Sequence, residues 1–369
     1  MATSSDHLQR AAREETAQVR RGGASRPWVF GTRGSALAMW QTRWVLDRLR
    51  EGFPDIALQV EPIKTQGDRT QQLNVPLARL ADQSIFVAEL EQALLAGSAW
   101  PGEQAPQRSS AEVVWALPAI DAAVHSLKDL ASVLPDGLVL AAVTPRDDPR
   151  DALVSRHSAT LAALAPGATV ATGSLRRRAQ LLHLRPDLRI VEIRGNVDTR
   201  VRKALDPAGP DAVVLAVAGL RRLGLERHIT QYFSTDELVP AAGQGALAVE
   251  IRRTDHVLRH LLAAIDHAPS HQAARAERAV LAALGGGCRV PLGAYAVVVD
   301  DGATIELLAV VASPDGRDLV RTTMRGPASQ PARLGRLAAA QLRRAGATAM
   351  LRAVRTASAS GEDVERDNG

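Results

Sequence analysis

Two stretches of the chain gather residues that could do chemistry. "HSLKDL", residues 125–130, places His125, Ser126, Lys128 and Asp129 directly after an apolar run. "LGGGCRVPLG", residues 284–293, sets Cys288, the only cysteine in 369 residues, behind three glycines and beside Arg289. A carboxylate beside cations stays ionised, because positive charge favours its charged form. Asp129 could therefore stabilise a developing cation; the plainer alternative is that it caps or pairs. His125 taken alone is more often structural than catalytic. A single thiol can form no internal disulfide and makes a poor metal site. Burial as an inert group is its usual fate, but the glycines argue for a mobile or closely approached loop, and Arg289 favours the thiolate. An attachment point is the functional reading. A Cys–His protease would need a convergent base, and no motif supplies one.

Arginine carries nearly all the basic charge, since lysine occurs only at Lys64, Lys128 and Lys203. A GC-rich genome accounts for such a bias equally well, so placement matters more than number. Arg33 follows the first strand, Arg176 and Arg177 open the helix after "ATGS", and Arg194 precedes "GNVDT". Arg200 comes one turn later, and Arg222 closes "AVAGLRR". Guanidinium forks bind carboxylates or phosphates in bidentate fashion and stay charged at any working pH. One such residue suggests a solvated helix face. Six at equivalent strand-to-helix junctions predict a shared anionic ligand in a cleft between two α/β units. Nucleic acid fits poorly, because the basic residues are not interleaved with aromatics and acidic residues are spread throughout.

The elements that must position these groups can be read from periodicity. "WVFGTRG" reads as a strand and a Gly turn, followed by an amphipathic helix through about Arg50. "IALQVEPIK" is a strand, "IFVAELEQALLAG" a helix, and "DAAVHS" and "GLVLAAVT" are strands. From Pro149 a second unit alternates "DALVS", "ATVATG", "SLRRRAQLLHLRP", "LRIVEI", "NVDTRVRKAL" and "DAVVLA" as strands and helices. Such alternation predicts α/β architecture with mainly parallel sheets. A third unit starts near Pro269 with a long helix into Cys288, then three strands and an Ala- and Leu-rich helix, which suggests a small α+β domain.

Composition sets outer limits. Apolar residues at 46% allow real cores, and 3% aromatics mean those cores are aliphatic, as in helices packed on sheets. No run reaches the roughly 18 apolar residues needed to span a bilayer. The N-terminus lacks an apolar export segment, and Asp6, Glu14 and Glu15 argue against a transit peptide. One cysteine without an export signal makes the cytoplasm the expected compartment.

The chain resembles the porphobilinogen deaminase (hydroxymethylbilane synthase) family across about residues 28–355. The resemblance rests on "GTRGSALAMWQ", "VHSLKDL", "DDPRDALVS", "GSLRRRAQL", "RGNVDTR", "LAVAGLRRLGL", "PAAGQGALAVE" and "GGGCRVPLGAY" in that order. It implies three domains, the first two like periplasmic binding proteins with a cleft between them, the third a small α+β domain carrying the cysteine. It also implies a dipyrromethane cofactor joined to Cys288 by a thioether. Four porphobilinogen units are then condensed stepwise with loss of ammonia, giving the linear tetrapyrrole hydroxymethylbilane of haem biosynthesis. By the family pattern Asp129 and Lys128 are catalytic. Lys128 also lines the cofactor and substrate sites, together with Arg33, Ser35, Ser174, Arg176, Arg177, Arg194, Arg200, Arg222 and Gln244. No metal is expected, nor is a nucleic-acid or membrane partner, and the enzyme should act as a monomer.

The expected boundaries are a disordered leader over 1–26, domain 1 over 27–145 plus 243–265, domain 2 over 149–240, domain 3 over 268–355 and a flexible tail over 356–369. Two departures from the family stand out. Residues 98–117 look like a surface insertion of the kind loops tolerate. In "RLADQSIF", residues 79–86, Gln83 stands where the family carries a lid lysine, while Ala81 and Asp82 replace glycines. A stiffer lid, less attractive to anions, predicts a slower enzyme with weakened substrate capture, for which Arg79 could compensate. The alternative is a paralogue that binds an anionic or tetrapyrrole-like ligand without turnover.

Overall fold

The computed structural model describes residues 26–65, 87–97, 118–285 and 290–360. The leader up to residue 25, the lid over 79–86, the insertion over 98–117, Cys288, Arg289 and the last nine residues lie outside the described residues.

The first body contains β1 (Trp28–Arg33), α1 (Ala36–Gly52), β2 (Leu58–Ile63), α2 (Ala88–Ala96), β3 (Ala122–Ser126) and β4 (Leu138–Val143). The second contains β5 (Asp151–Ser155), β6 (Thr169–Ala171), α3 (Leu175–Leu184), β7 (Arg189–Val191), α4 (Val197–Leu205), β8 (Ala212–Ala216), α5 (Val217–Arg222) and β9 (Gln231–Tyr232). The chain then returns to the first body through β10 (Leu247–Arg252) and α6 (His256–Leu262). Central strands such as β8, "AVVLA", are wholly buried because helices cover both faces of their sheet. Helix α1 turns Val45, Leu46 and Leu49 inward against Phe30 and Val249.

The two bodies are built alike. Their sheets run β2-β1-β3-β10-β4 and β7-β6-β8-β5-β9. In each, the first three strands are parallel and the last two pairings are antiparallel. The sheets are therefore mixed rather than mainly parallel. The cause is that β5 and β10 are the strands by which the chain crosses between bodies, and each enters its sheet against the prevailing direction. Where the two crossing segments meet, Asp147 N–H donates to Gly245 O at 3.3 Å. Gly243 and Gly245 have φ of +75° and +93°, and a Cβ on Gly245 would strike the Asp147 carbonyl, so this crossing requires glycine.

The third body is an antiparallel meander of β11 (Leu292–Val299), β12 (Thr304–Ala312) and β13 (Leu319–Pro327). It is covered by α7 (Ala268–Leu284) and α8 (Pro331–Arg344), whose alanine- and leucine-lined faces form one core with the sheet. Helix α7 stops at Gly285, which adopts the left-handed conformation at φ +63°. The body docks on α3, where His183 Nδ1 lies 2.9 Å from Gly316 O.

Two local expectations are revised. Arg26 does not belong to a leader, since both its terminal nitrogens donate to Asp121 at 2.7 Å. Residues 356–360 are not simply loose, because α9 runs over Ala347–Ser360, as its alanine content favours.

Candidate functional site

Three chain segments end at the same place between the first two bodies. Strand β1 delivers Arg33 as its last residue, and Ser35 then caps α1 by accepting from Ala38 N–H at 3.3 Å. Strand β3 runs into a single 3₁₀ turn, Leu127–Asp129, which presents Lys128 and Asp129. In the second body β6 leads to Ser174, which caps α3 by accepting from Arg177 N–H at 3.5 Å. The Ser-capped starts of α1 and α3 are thus equivalent features of equivalent bodies, each able to favour an anion.

Charge confirms the convergence. Lys128 feels Arg177, Asp129, Asp151 and Arg176, while Arg200 feels Arg177, Asp129 and Arg33. Enclosure by protein and the neighbouring arginines lower the Lys128 ammonium to about 8, with Asp129 and Asp151 opposing. Burial, then Arg177, lower the Arg200 guanidinium to about 10. Arg200 is oriented by donating Nε–H to Gly195 O at 2.7 Å.

Asp151, which sequence reasoning did not single out, organises the second-body half. Its side chain is fully buried. Oδ1 accepts from Arg177 Nε and Nη2 at 3.1 and 2.7 Å and from Gln244 Nε2 at 2.9 Å, and Oδ2 lies 2.7 Å from Arg176 Nη1. Burial alone would raise this carboxyl, but Arg176 and Arg177 outweigh it and hold it well below the usual carboxylate range. The signal was available in "DALVS": an acidic residue opening a strand with no exposed position.

The expected site residues divide accordingly. Arg33, Lys128, Asp129, Arg176, Arg177 and Arg200 share one electrostatic neighbourhood. Arg177 spends its donors inside the protein, on Asp151 and on Val214 O at 3.1 Å. Gln244 supports Asp151 and also donates to Pro149 O at 2.7 Å. Arg176 gives Nη1 to Val239 O at 2.7 Å but leaves Nε buried without a partner. Arg194 pairs with Glu192 at 3.1 Å, three residues beyond the end of β7. Arg222 sits at the end of a helix rather than a strand-to-helix junction; it donates to Gly245 O at 2.6 Å and stands over the Trp40 ring at 5.8 Å. It braces the crossing of the two bodies.

The donor set suits a polycarboxylate. Six cations, Arg33, Lys128, Arg176, Arg177, Arg194 and Arg200, face three carboxylates, Asp129, Asp151 and Glu192. An enclosed excess of guanidinium groups calls for anionic partners. Among the described residues the Asp129 carboxylate has no hydrogen bond or ion pair within 4 Å, although Lys128 and Arg200 lie in its field.

Twin lobes of one strand order with a cation-lined cleft between them define a two-lobed α/β protein whose cleft suits an anionic ligand. One solved structure with a related outline is a periplasmic binding protein with arginine specificity from Salmonella typhimurium, 14% identical, covering 65% of this chain and 92% of its own, TM-score 0.33. Sequence comparison is more specific. The porphobilinogen deaminase dipyrromethane-cofactor-binding domain matches residues 29–101 and 109–260, and the porphobilinogen deaminase C-terminal domain matches 271–344. Porphobilinogen deaminases of Pelobacter propionicus and Gloeobacter violaceus are 44% and 45% identical, covering 88% and 89% of this chain and 96% and 93% of their own. That of Desulforudis audaxviator is 45% identical over 89% of this chain and 97% of its own. The chain belongs to the porphobilinogen deaminase family, which are transferases. Nothing in these comparisons favours the non-catalytic alternative.

Proposed function

We propose that the cleft between the two five-stranded bodies is where this chain condenses four porphobilinogen units into hydroxymethylbilane. The observation that carries the reading is Asp129, a carboxylate unpaired among the described residues in a neighbourhood of cations. When bound through Cys288, the dipyrromethane supplies the pyrrole carbon at which the first new unit is joined. Arg33, Arg176, Arg194, Arg200 and Lys128 hold pyrrole carboxylates, with the Ser35- and Ser174-capped helix starts contributing positive potential. Asp129 Oδ accepts pyrrole N–H and stabilises positive charge that develops as the substrate loses ammonia, a role that needs an ionised carboxylate already in place. Lys128 and Arg200 lie in its field and balance its charge. Arg177, Arg222 and Gln244 act by holding the cleft in shape.

In this reading the site spans domain 1 over 27–145 plus 243–265 and domain 2 over 149–240, and domain 3 over 268–355 brings Cys288 to it. The enzyme acts as a monomer in this reading. A sole cysteine that must stay a free thiol until modified suits the reducing cytoplasm. The carboxylates interleaved with the cleft cations suit a small polyanion rather than nucleic acid, and among the described residues no helix is long and apolar enough to cross a membrane.

Intact-mass spectrometry tests the reading. The purified chain should be heavier by two condensed pyrrole units, Cys288→Ser should lack the increment, and the wild type should convert porphobilinogen. An unmodified wild type that turns over normally would overturn the covalent assignment.

A further inference from the structure

The sheet face of the first body that looks away from α1 carries Ala123 on β3 and Ala248 on β10. His125 on β3 and Glu250 on β10 lie on this face. Glu250 is opposite Ala123 in the ladder, and His125 is the diagonal neighbour two residues along, so their side chains meet. His125 Nε2 stands 3.3 Å from Glu250 Oε2, with the two side chains 3% and 0% exposed. Among the described residues both Glu250 oxygens and His125 Nε2 lack a hydrogen bond. A carboxylate in that condition is costly unless charge from a neighbouring element compensates it.

Two helices close over the pair. Helix α2 brings Glu91, buried and within the field of both Glu250 and His125. Helix α7 of the third body brings Arg278 into the field of Glu250, with no direct ion pair between them among the described residues. Arg278 Nη1 and Nη2 also donate to Leu130 O and Ser132 O, each at 3.3 Å. Those carbonyls belong to the segment that leaves the Lys128–Asp129 turn. Apolar packing follows the same path, since Ala274 of α7 shares a cluster with Leu127, Leu130 and Ala248.

We propose that Arg278, Glu250, His125 and Glu91 form a buried ionic seam by which α7, the helix leading to Cys288, fixes the Lys128–Asp129 turn, with Glu250 as the positioning residue. The inference rests on the function proposed above and extends it. The turn that carries Asp129 is held from behind by the same helix that carries the cysteine segment. The third body is thereby registered to the Lys128–Asp129 turn. Glu91 is the opposing element: burial, then Glu250, raise its carboxyl to about 6, and His125 works the other way.

The test is a double-mutant cycle on the loaded enzyme. Glu250→Gln and Arg278→Gln should each lower kcat about tenfold with KM changed less than about twofold, and the double variant should be no slower than either single one. Amide exchange across residues 126–133 should quicken in both variants while that of β8 stays unchanged. Unaltered exchange together with near-parental kcat, or losses that multiply in the double variant, would overturn the seam. Should Glu250→Gln fail to fold, Arg278→Gln alone decides through exchange. A parent enzyme without turnover would count against the function, whereas the exchange result would still decide the seam.

Discussion

Two bodies with one strand order bring two carboxylates to the same cleft and leave them in opposite conditions. Asp129, at the tip of β3, has cations near it but no partner among the described residues. Asp151, at the start of the crossing strand β5, is buried under Arg176, Arg177 and Gln244. The twin architecture explains why both sit at the cleft: each lies where a strand end faces the other lobe. Their different uses follow from local surroundings. A saturated carboxylate fixes the geometry of the arginines around it, and an unsaturated one is available to a substrate. In the second lobe the negative charge is tied up in ion pairs; in the first it has no partner among the described residues, which is what the proposed chemistry needs.

The strongest challenge to that contrast is Asp151→Asn. The substitution keeps the volume but leaves two buried guanidinium groups without their counter-charge, and breaking one side of a buried pair costs about 3–5 kcal/mol. Thermal or denaturant unfolding should show the loss directly. Linkage gives a second signature. The folded carboxyl of Asp151 is depressed below its unfolded value, so its contribution is present above about pH 4 and is lost as pH falls further. The Asn variant should therefore lose part of the parent's sensitivity to acid. An Asn variant as stable as the parent would show that Asp151 is not structural.

Asp129→Asn tests the other half. Here stability should hardly change, because the carboxylate makes no hydrogen bond or ion pair among the described residues. Turnover should fall about 100-fold or more, the usual consequence of removing a preorganised electrostatic stabiliser. Single-turnover kinetics on the mass-verified, cofactor-bearing variant separates this from failed cofactor assembly. A variant that melts early yet reacts normally would invert the comparison.

Much of this could be read in the sequence because the decisive groups sit at element ends. "HSLKDL" follows an apolar strand and "GSLRRRAQL" begins with a capping serine, so the sequence alone puts Lys128, Asp129, Arg176 and Arg177 at element junctions. Partner choice was less legible. Arg177 and Arg222 look like ligand-binding arginines by position, but Asp151 and the Gly245 carbonyl take them, and those partners are 26 and 23 residues away along the chain. The mixed sheets were missed for a similar reason: periodicity identifies β5 and β10 as strands but carries no information on the direction in which a crossing strand enters. The buried Glu91 and Glu250 were invisible because acidic residues in "AELEQALLA" and "ALAVEIR" read as solvent-facing until tertiary packing covers them.

The smallest expected effect concerns Lys128, which stands between the two carboxylates and reports on both. Its ammonium is lowered to about 8 because enclosure and Arg177 outweigh Asp129 and Asp151. In the unfolded chain a lysine titrates near 10.4. The folded state therefore holds fewer protons between about pH 8 and 10, and the penalty for burying the charge is present below that window and relieved as pH rises through it. Occupation of the cleft by carboxylates adds negative charge next to the amine and should move its titration upward. The chain has only three lysines, so carbon-13 labelling at the ε position gives a spectrum simple enough to follow, and Lys128→Arg identifies the relevant signal by its disappearance. Without cofactor, in Cys288→Ser, the Lys128 signal should titrate near 8; in the loaded enzyme the midpoint should rise. Asp151→Asn should lower the midpoint in both forms, and Asp129→Asn should do the same. A midpoint unaffected by either carboxylate would separate Lys128 from the cluster and leave the two lobes without the residue that links them.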